Sequence, residues 1–127
     1  PFTVNVATPA FTTVVNQNFN LPRTGNYLVH ISYSFSGNTV QSDVVTNGSF
    51  GGNDFGSINS ELMRVEPKDQ GGNELDGRGT DQKYPFGRYY YFTGLSAGIN
   101  NLLLGLSSPS GVTVSIWDIV IVVKEVR

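Results

Sequence analysis

The chain has one histidine, His30, and no cysteine, which sets narrow limits on the chemistry it can carry. A general base needs a nucleophile or an orienting group within hydrogen-bond reach. His30 sits mid-strand among Leu28, Val29 and Ile31, where an imidazole packs or lines an interface. No second histidine exists to complete a metal triad, and HExxH-type spacing is absent. The serines fall in turns or on strand faces, without a nucleophile elbow. The expectation is a protein that is not an enzyme and needs no cofactor or metal.

Three other groups of residues merit weighing. Asp69, Asn73, Glu74, Asp76 and Asp81 offer hard oxygen ligands spaced by glycines, as a calcium site would. Their spacing is not that of an EF-hand, and Lys68, Arg78 and Lys83 offset the charge, so a solvated loop is the simpler reading. The aromatics Tyr84, Phe86, Tyr89, Tyr90, Tyr91 and Trp117 could stack on sugar rings, but sandwich cores and subunit interfaces use the same residues. The glycine-rich run from Gly48 to Gly52 lacks the lysine and following helix of a phosphate loop. Arg64 and Arg88 read as surface or interface partners.

The elements that position these residues are strands. Residues 112–126, VTVSIWDIVIVVKEV, are the most β-branched stretch. Val112, Val114 and Ile116 alternate with Thr113 and Ser115, the period of a half-buried strand. From Ile119 to Val123 every residue is apolar. Either a partner covers the second face there, or a bulge near Trp117 and Asp118 switches parity. Residues 27–36 give Tyr27, Val29, Ile31, Tyr33 and Phe35 one face, and Leu28, His30, Ser32 and Ser34 the other. Further strands are expected at 2–6, 10–15, 39–46, 60–66, 86–92 and 99–106, with 16–20 a polar connection and 47–59 mostly turns. Residues 66–83 form a long polar loop, a length that is uncommon in compact domains. About eight short strands divided by Gly, Pro and Asn turns predict an all-β sandwich or barrel. Three runs read as covered on both faces, in whole or part: 27–35, 89–92 and 119–123. As neighbours in one sheet, they would leave an outer apolar patch that needs a partner.

A chain of 127 residues, 39% hydrophobic, suits one domain able to bury a core without staples. The division expected is an extended N-terminal arm or short strand at 1–9, followed by the β domain at 10–127. Net charge of −2 and a charged fraction of 14% argue against nucleic acid and acidic membrane surfaces as partners. No run approaches the ~18 apolar residues of a membrane helix.

Three segments resemble the tumour-necrosis-factor-like, or complement-globular-head-like, trimeric jelly roll. They are LPRTGNYLVHISYSF (21–35), YYFTGLSAGINNLLLGL (90–106) and the closing VSIWDIVIVVKEV (114–126). Together they cover about half the chain in the family's order, while residues 48–84 do not match. The resemblance implies a two-sheet antiparallel jelly-roll β-sandwich whose inner sheet packs against two sister subunits. The interface residues expected are Leu28, His30, Tyr89, Tyr91, Trp117, Ile119 and Ile121. The chain has no collagen-like Gly-x-y run and no disulfide, and so is similar to stand-alone members such as bacteriophage capsid decoration (cement) proteins and fibre tips. That implies a homotrimeric virion protein, assembled in the host cytoplasm, that binds the major capsid protein on the outer capsid surface. Phe2, Val4 and Val6 would make the capsid contact through the N-terminal arm. The alternative is a receptor-binding tip whose loops at 47–59 and 66–83 recognise a host glycan or protein. A secreted lectin or cytokine-like trimer is a third option.

Overall fold

Alternating apolar positions from one end of the chain to the other condense into two antiparallel sheets packed face to face, a β-sandwich. A computed structural model describes residues 3–37, 43–55, 61–65 and 84–127. Among these are nine strands and no helix: β1 (Thr3–Val6), β2 (Thr12–Leu21), β3 (Gly25–Gly37), β4 (Val44–Phe50), β5 (Asn53–Asp54), β6 (Glu61–Val65), β7 (Tyr84–Leu95), β8 (Gly98–Ser107) and β9 (Val114–Val126). One sheet runs β1-β9-β3-β7. The other runs β2-β8-β4, with both β5 and β6 pairing β4. Outside β4-β5-β6, each consecutive pair of strands lies in different sheets.

The core follows from period-two alternation. Val29, Ile31, Tyr33 and Phe35 of β3 point inward with Val114 and Ile116 of β9, facing Leu102, Leu104 and Leu106 of β8 and Phe50 of β4. Full burial of an aliphatic or aromatic side chain contributes about 1.5–3 kcal/mol. Aromatic edges bridge the sheets: Phe92 of β7 meets Phe50 at 5.8 Å and Phe55 at 5.3 Å between ring centroids.

At one end of the sandwich the turn at 22–24 is fixed by Tyr27, whose hydroxyl donates to the Arg23 carbonyl at 2.5 Å. The Ala97 amide donates to Thr24 Oγ1 at 3.0 Å, and the Gly94 amide to Asn26 Oδ1 at 3.2 Å. These bonds dock the β7–β8 connection on the β2–β3 turn.

Several boundaries differ from the sequence expectation. Residues 16–20 are not a connection; they continue β2, paired along β8. Asn16, Asn18 and Asn20 are tolerated in that strand because they are exposed. Residues 47–50 belong to β4 rather than to turns, and β7 runs on to Leu95. The long polar loop at 66–83 lies outside the described residues.

Within the N-terminal segment, Thr3–Val6 form β1. β1 pairs β9 from Thr3 opposite Trp117 to Val6 opposite Val114, and Ser115 Oγ donates to Asn5 Oδ1 at 2.6 Å. Beyond β1, the Ser108 amide donates to the Thr8 carbonyl at 2.8 Å and Ser107 Oγ to the Pro9 carbonyl at 2.7 Å. Residues 3–9 are thus tied to their own domain.

Candidate functional site

The outward side of the β1-β9-β3-β7 sheet gathers the residues on which the functional reading rests. β3 is central, and its outward side chains are opposed by β9 on one flank and β7 on the other. Leu28 stands between Lys124 and Tyr91, His30 between Val122 and Tyr89, Ser32 between Val120 and Gly87, and Ser34 between Trp117 and Pro85. Tyr89 is 64% exposed, Tyr91 55%, Val120 52% and Val122 51%. Four large apolar side chains exposed on the two strands that flank β3 make a patch of the kind that marks an interaction surface. Leu28, His30, Tyr89, Val122 and Lys124 line a shallow hollow of about 430 Å3.

The His30 and Tyr89 rings lie 4.4 Å apart, tilted by 30°, so the imidazole stacks on its cross-strand partner. Gly87 in the neighbouring row adds no side chain, which leaves the imidazole edge open on that side. Its Cα hydrogen points where a Cβ would sit 3.7 Å from His30 Nε2.

The identity of the β9 residues on this face is decided by one residue. Asp118 has φ of +57°, and the pairing steps from Ser32 opposite Val120 to Ser34 opposite Trp117. Two residues of β9, Asp118 and Ile119, thus answer one of β3, which is a β-bulge. Before it, Val114 and Ile116 are the inward residues; after it, Ile119, Ile121 and Val123 are. Expected interface residues Ile119 and Ile121 are therefore corrected: they pack against the core. Val120 and Val122 take the outer face, and Lys124 joins them at its edge. The polar Asp118 interrupting an apolar run was the sequence signal for this switch.

The other expected interface residues, Leu28, His30, Tyr89, Tyr91 and Trp117, share the outer face, with Trp117 half-buried. Of the residues expected to reach a capsid, Val6 is 5% exposed and belongs to the core. That assignment is also corrected, because β1 pairing turns its side chain inward. Val4 is half-buried, and Phe2 lies outside the described residues.

The remaining aromatics are structural. Phe86 stacks on Tyr33 at 4.8 Å, Tyr84 meets Phe35 at 5.8 Å, and Tyr90 meets Phe55 at 4.9 Å. Arg88 holds its guanidinium 5.3 Å from the Tyr90 ring centroid. Partial burial raises the Tyr90 phenol above its ordinary value, against the opposing charge of Arg88. Arg64 makes a forked ion pair with Glu61, with contacts of 2.6 and 3.2 Å. That pairing lowers the Glu61 carboxyl and raises the Arg64 guanidinium. Among the described residues no group of three His, Cys, Asp or Glu side chains is arranged to hold a metal ion, and no helix is long and apolar enough to cross a membrane.

The face offers apolar area, two phenols, one indole, one imidazole, one ammonium and the hydroxyls of Ser32 and Ser34. This set suits burial against another protein surface. Comparisons with family models, curated proteins and solved structures find no match to the chain.

Proposed function

We propose that the chain is a homotrimeric jelly roll that decorates and reinforces the outer surface of a bacteriophage capsid. The observation that carries this reading is the exposed apolar face of β9, β3 and β7, with Tyr89, Tyr91, Val120 and Val122 outward around His30. A lone sandwich normally leaves the outer faces of its sheets polar.

Two things support the jelly-roll form. The strand orders, β1-β9-β3-β7 against β2-β8-β4 with β5 and β6 on β4, place successive strands alternately in the two sheets everywhere outside β4-β5-β6. The segments that resemble the tumour-necrosis-factor-like family fall on β3, on β7 with β8, and on β9. In that family the sheet holding the counterparts of these strands faces the threefold axis. Apolar burial contributes about 25 cal/mol per Å2, and the costs of association leave only part of that as affinity. The role on the capsid is passive: the trimer bridges neighbouring capsomers of the major capsid protein and opposes their separation. The decoration role follows from resemblance to stand-alone phage members, because a fold hosts many functions.

The test is a mass measurement of the free protein by sedimentation, combined with co-sedimentation on undecorated capsids of its own phage. A trimer that pellets with capsids, and raises the temperature at which they rupture, is expected. A stable monomer, or a trimer that stays in the supernatant, overturns the proposal.

A further inference from the structure

A second concave site lies on the outward side of the other sheet. Register brings its members together: Gly105 of β8 lies between Thr13 and Asn47, and Leu103 lies between Asn16 and Ser49, with Ser49 opposite Asp54. Phe11, Thr13, Asn47, Ser49, Asp54 and Leu103 are among the residues that line a hollow of about 210 Å3. The missing side chain of Gly105 makes room for the Asn47 carboxamide, whose Oδ1 a Cβ there would strike. Phe11 and Leu103 expose apolar surface there, at 42% and 37%.

The polar lining is uncommitted. Among the described residues, the side chains of Thr13, Asn47, Ser49 and Asp54 make no hydrogen bond or ion pair. They offer one carboxylate that only accepts, one carboxamide that donates and accepts, and two hydroxyls that do either. A single carboxylate is too little for a hard cation, which takes six to eight oxygen ligands. Among the described residues no Lys or Arg lines the hollow, so an anion would meet the Asp54 charge without compensation from them. A neutral polyhydroxylated ring fits both parts of the site. Its hydroxyls donate to Asp54 and accept from Asn47, while its C–H face lies on Phe11 and Leu103.

We propose that this hollow binds one neutral sugar residue of a glycan. Its volume is below the ~300–1,000 Å3 of drug-sized pockets, so it holds one ring. Alongside it, Asn101 Nδ2 donates to Asn16 Oδ1 at 2.8 Å and to Asn18 Oδ1 at 2.9 Å. That arrangement leaves the Asn16 and Asn18 amide hydrogens for the next ring of the same glycan. The site is on the sheet opposite the proposed subunit interface, and the inference stands independently of the capsid assignment.

The test is amide NMR of the full chain titrated separately with glucose, galactose, mannose and N-acetylglucosamine, with glycerol as a control polyol. At least one sugar is expected to give saturable shifts at Asn47, Gly48, Ser49, Leu103 and Gly105, with a dissociation constant of about 1 mM or weaker. Glycerol should give none. Asp54→Ala, and separately Phe11→Ala, should each weaken binding about tenfold while the rest of the spectrum is unchanged; if one variant fails to fold, the other carries the comparison. No saturable shift with any of the four sugars overturns the proposal. Shifts centred on Tyr89 and Tyr91, or undiminished binding in the folded variants, overturn it equally.

Discussion

The hydroxyls of Tyr33 and Thr46 lie 2.8 Å apart, joining β3 to β4 across the interior of the sandwich. Both residues are buried, and the Tyr33 hydroxyl also reaches Met63 Sδ at 3.6 Å. Burial pushes the phenol well above its ordinary value, with the Thr46 hydrogen bond partly opposing. Tyr33→Phe should cost about 1–2 kcal/mol near neutral pH, because Thr46 is left buried without that partner. The pH dependence has a definite sign. A raised pKa means that the unfolded chain ionises first, so the stabilisation is complete below about pH 10 and is lost as pH rises above it. Urea unfolding of both proteins at pH 7 and pH 10.5 should find a steeper alkaline loss in the wild type than in Tyr33→Phe.

Opposite outcomes are expected at neighbouring positions of β9. Val122→Asp places a carboxylate on the exposed outer face and should give folded monomer, seen by light scattering and circular dichroism. Ile121→Asp buries a charge against the core and should unfold the domain or cost more than about 3 kcal/mol. Intact trimer in Val122→Asp would remove the outer face from the proposed trimer interface.

The bulge can be tested at its left-handed residue. Asp118, at φ of +57°, occupies a region that Asp tolerates and β-branched residues avoid. Asp118→Gly should leave stability within about 0.5 kcal/mol, whereas Asp118→Val should lose about 1–2 kcal/mol. Calorimetric unfolding provides the comparison, and equal stability of the two variants would refute a constrained bulge.

Two glycines on the second sheet should differ in severity. A Cβ at Gly48 would collide with the Leu103 carbonyl oxygen, a backbone atom held in the β4–β8 ladder. A Cβ at Gly105 would meet Asn47 Oδ1, which a side-chain rotation can move. Gly48→Ala should therefore cost about 2–3 kcal/mol and Gly105→Ala about 1 kcal/mol. Denaturant midpoints that rank them the other way would contradict this packing.

Period-two patterning carried much of this architecture in the sequence. The inward set of β3, from Tyr27 to Phe35, and the trio Leu102, Leu104 and Leu106 of β8 are both buried as their alternation requires. The three runs read as covered on both faces, in whole or part, lie side by side as β9, β3 and β7. Residues 16–20 misled because asparagine is rare in strands, yet ladder pairing with β8 holds them extended. The second hollow was not legible at all, since Thr13, Asn47 and Asp54 come from three different strands or their flanks.

By itself the sequence determined the β class, the inward face of each long strand, and the excess of apolar surface near the C-terminus, because these depend only on local side-chain period. Tertiary structure decided which of the β9 residues face outward. Trp117 is followed by two residues opposite one, and that register is set by pairing with β3, a strand about ninety residues away in the chain. It also decided that β1 is held in the sheet and that the polar hollow exists, because both arise from hydrogen-bonded registers between distant segments.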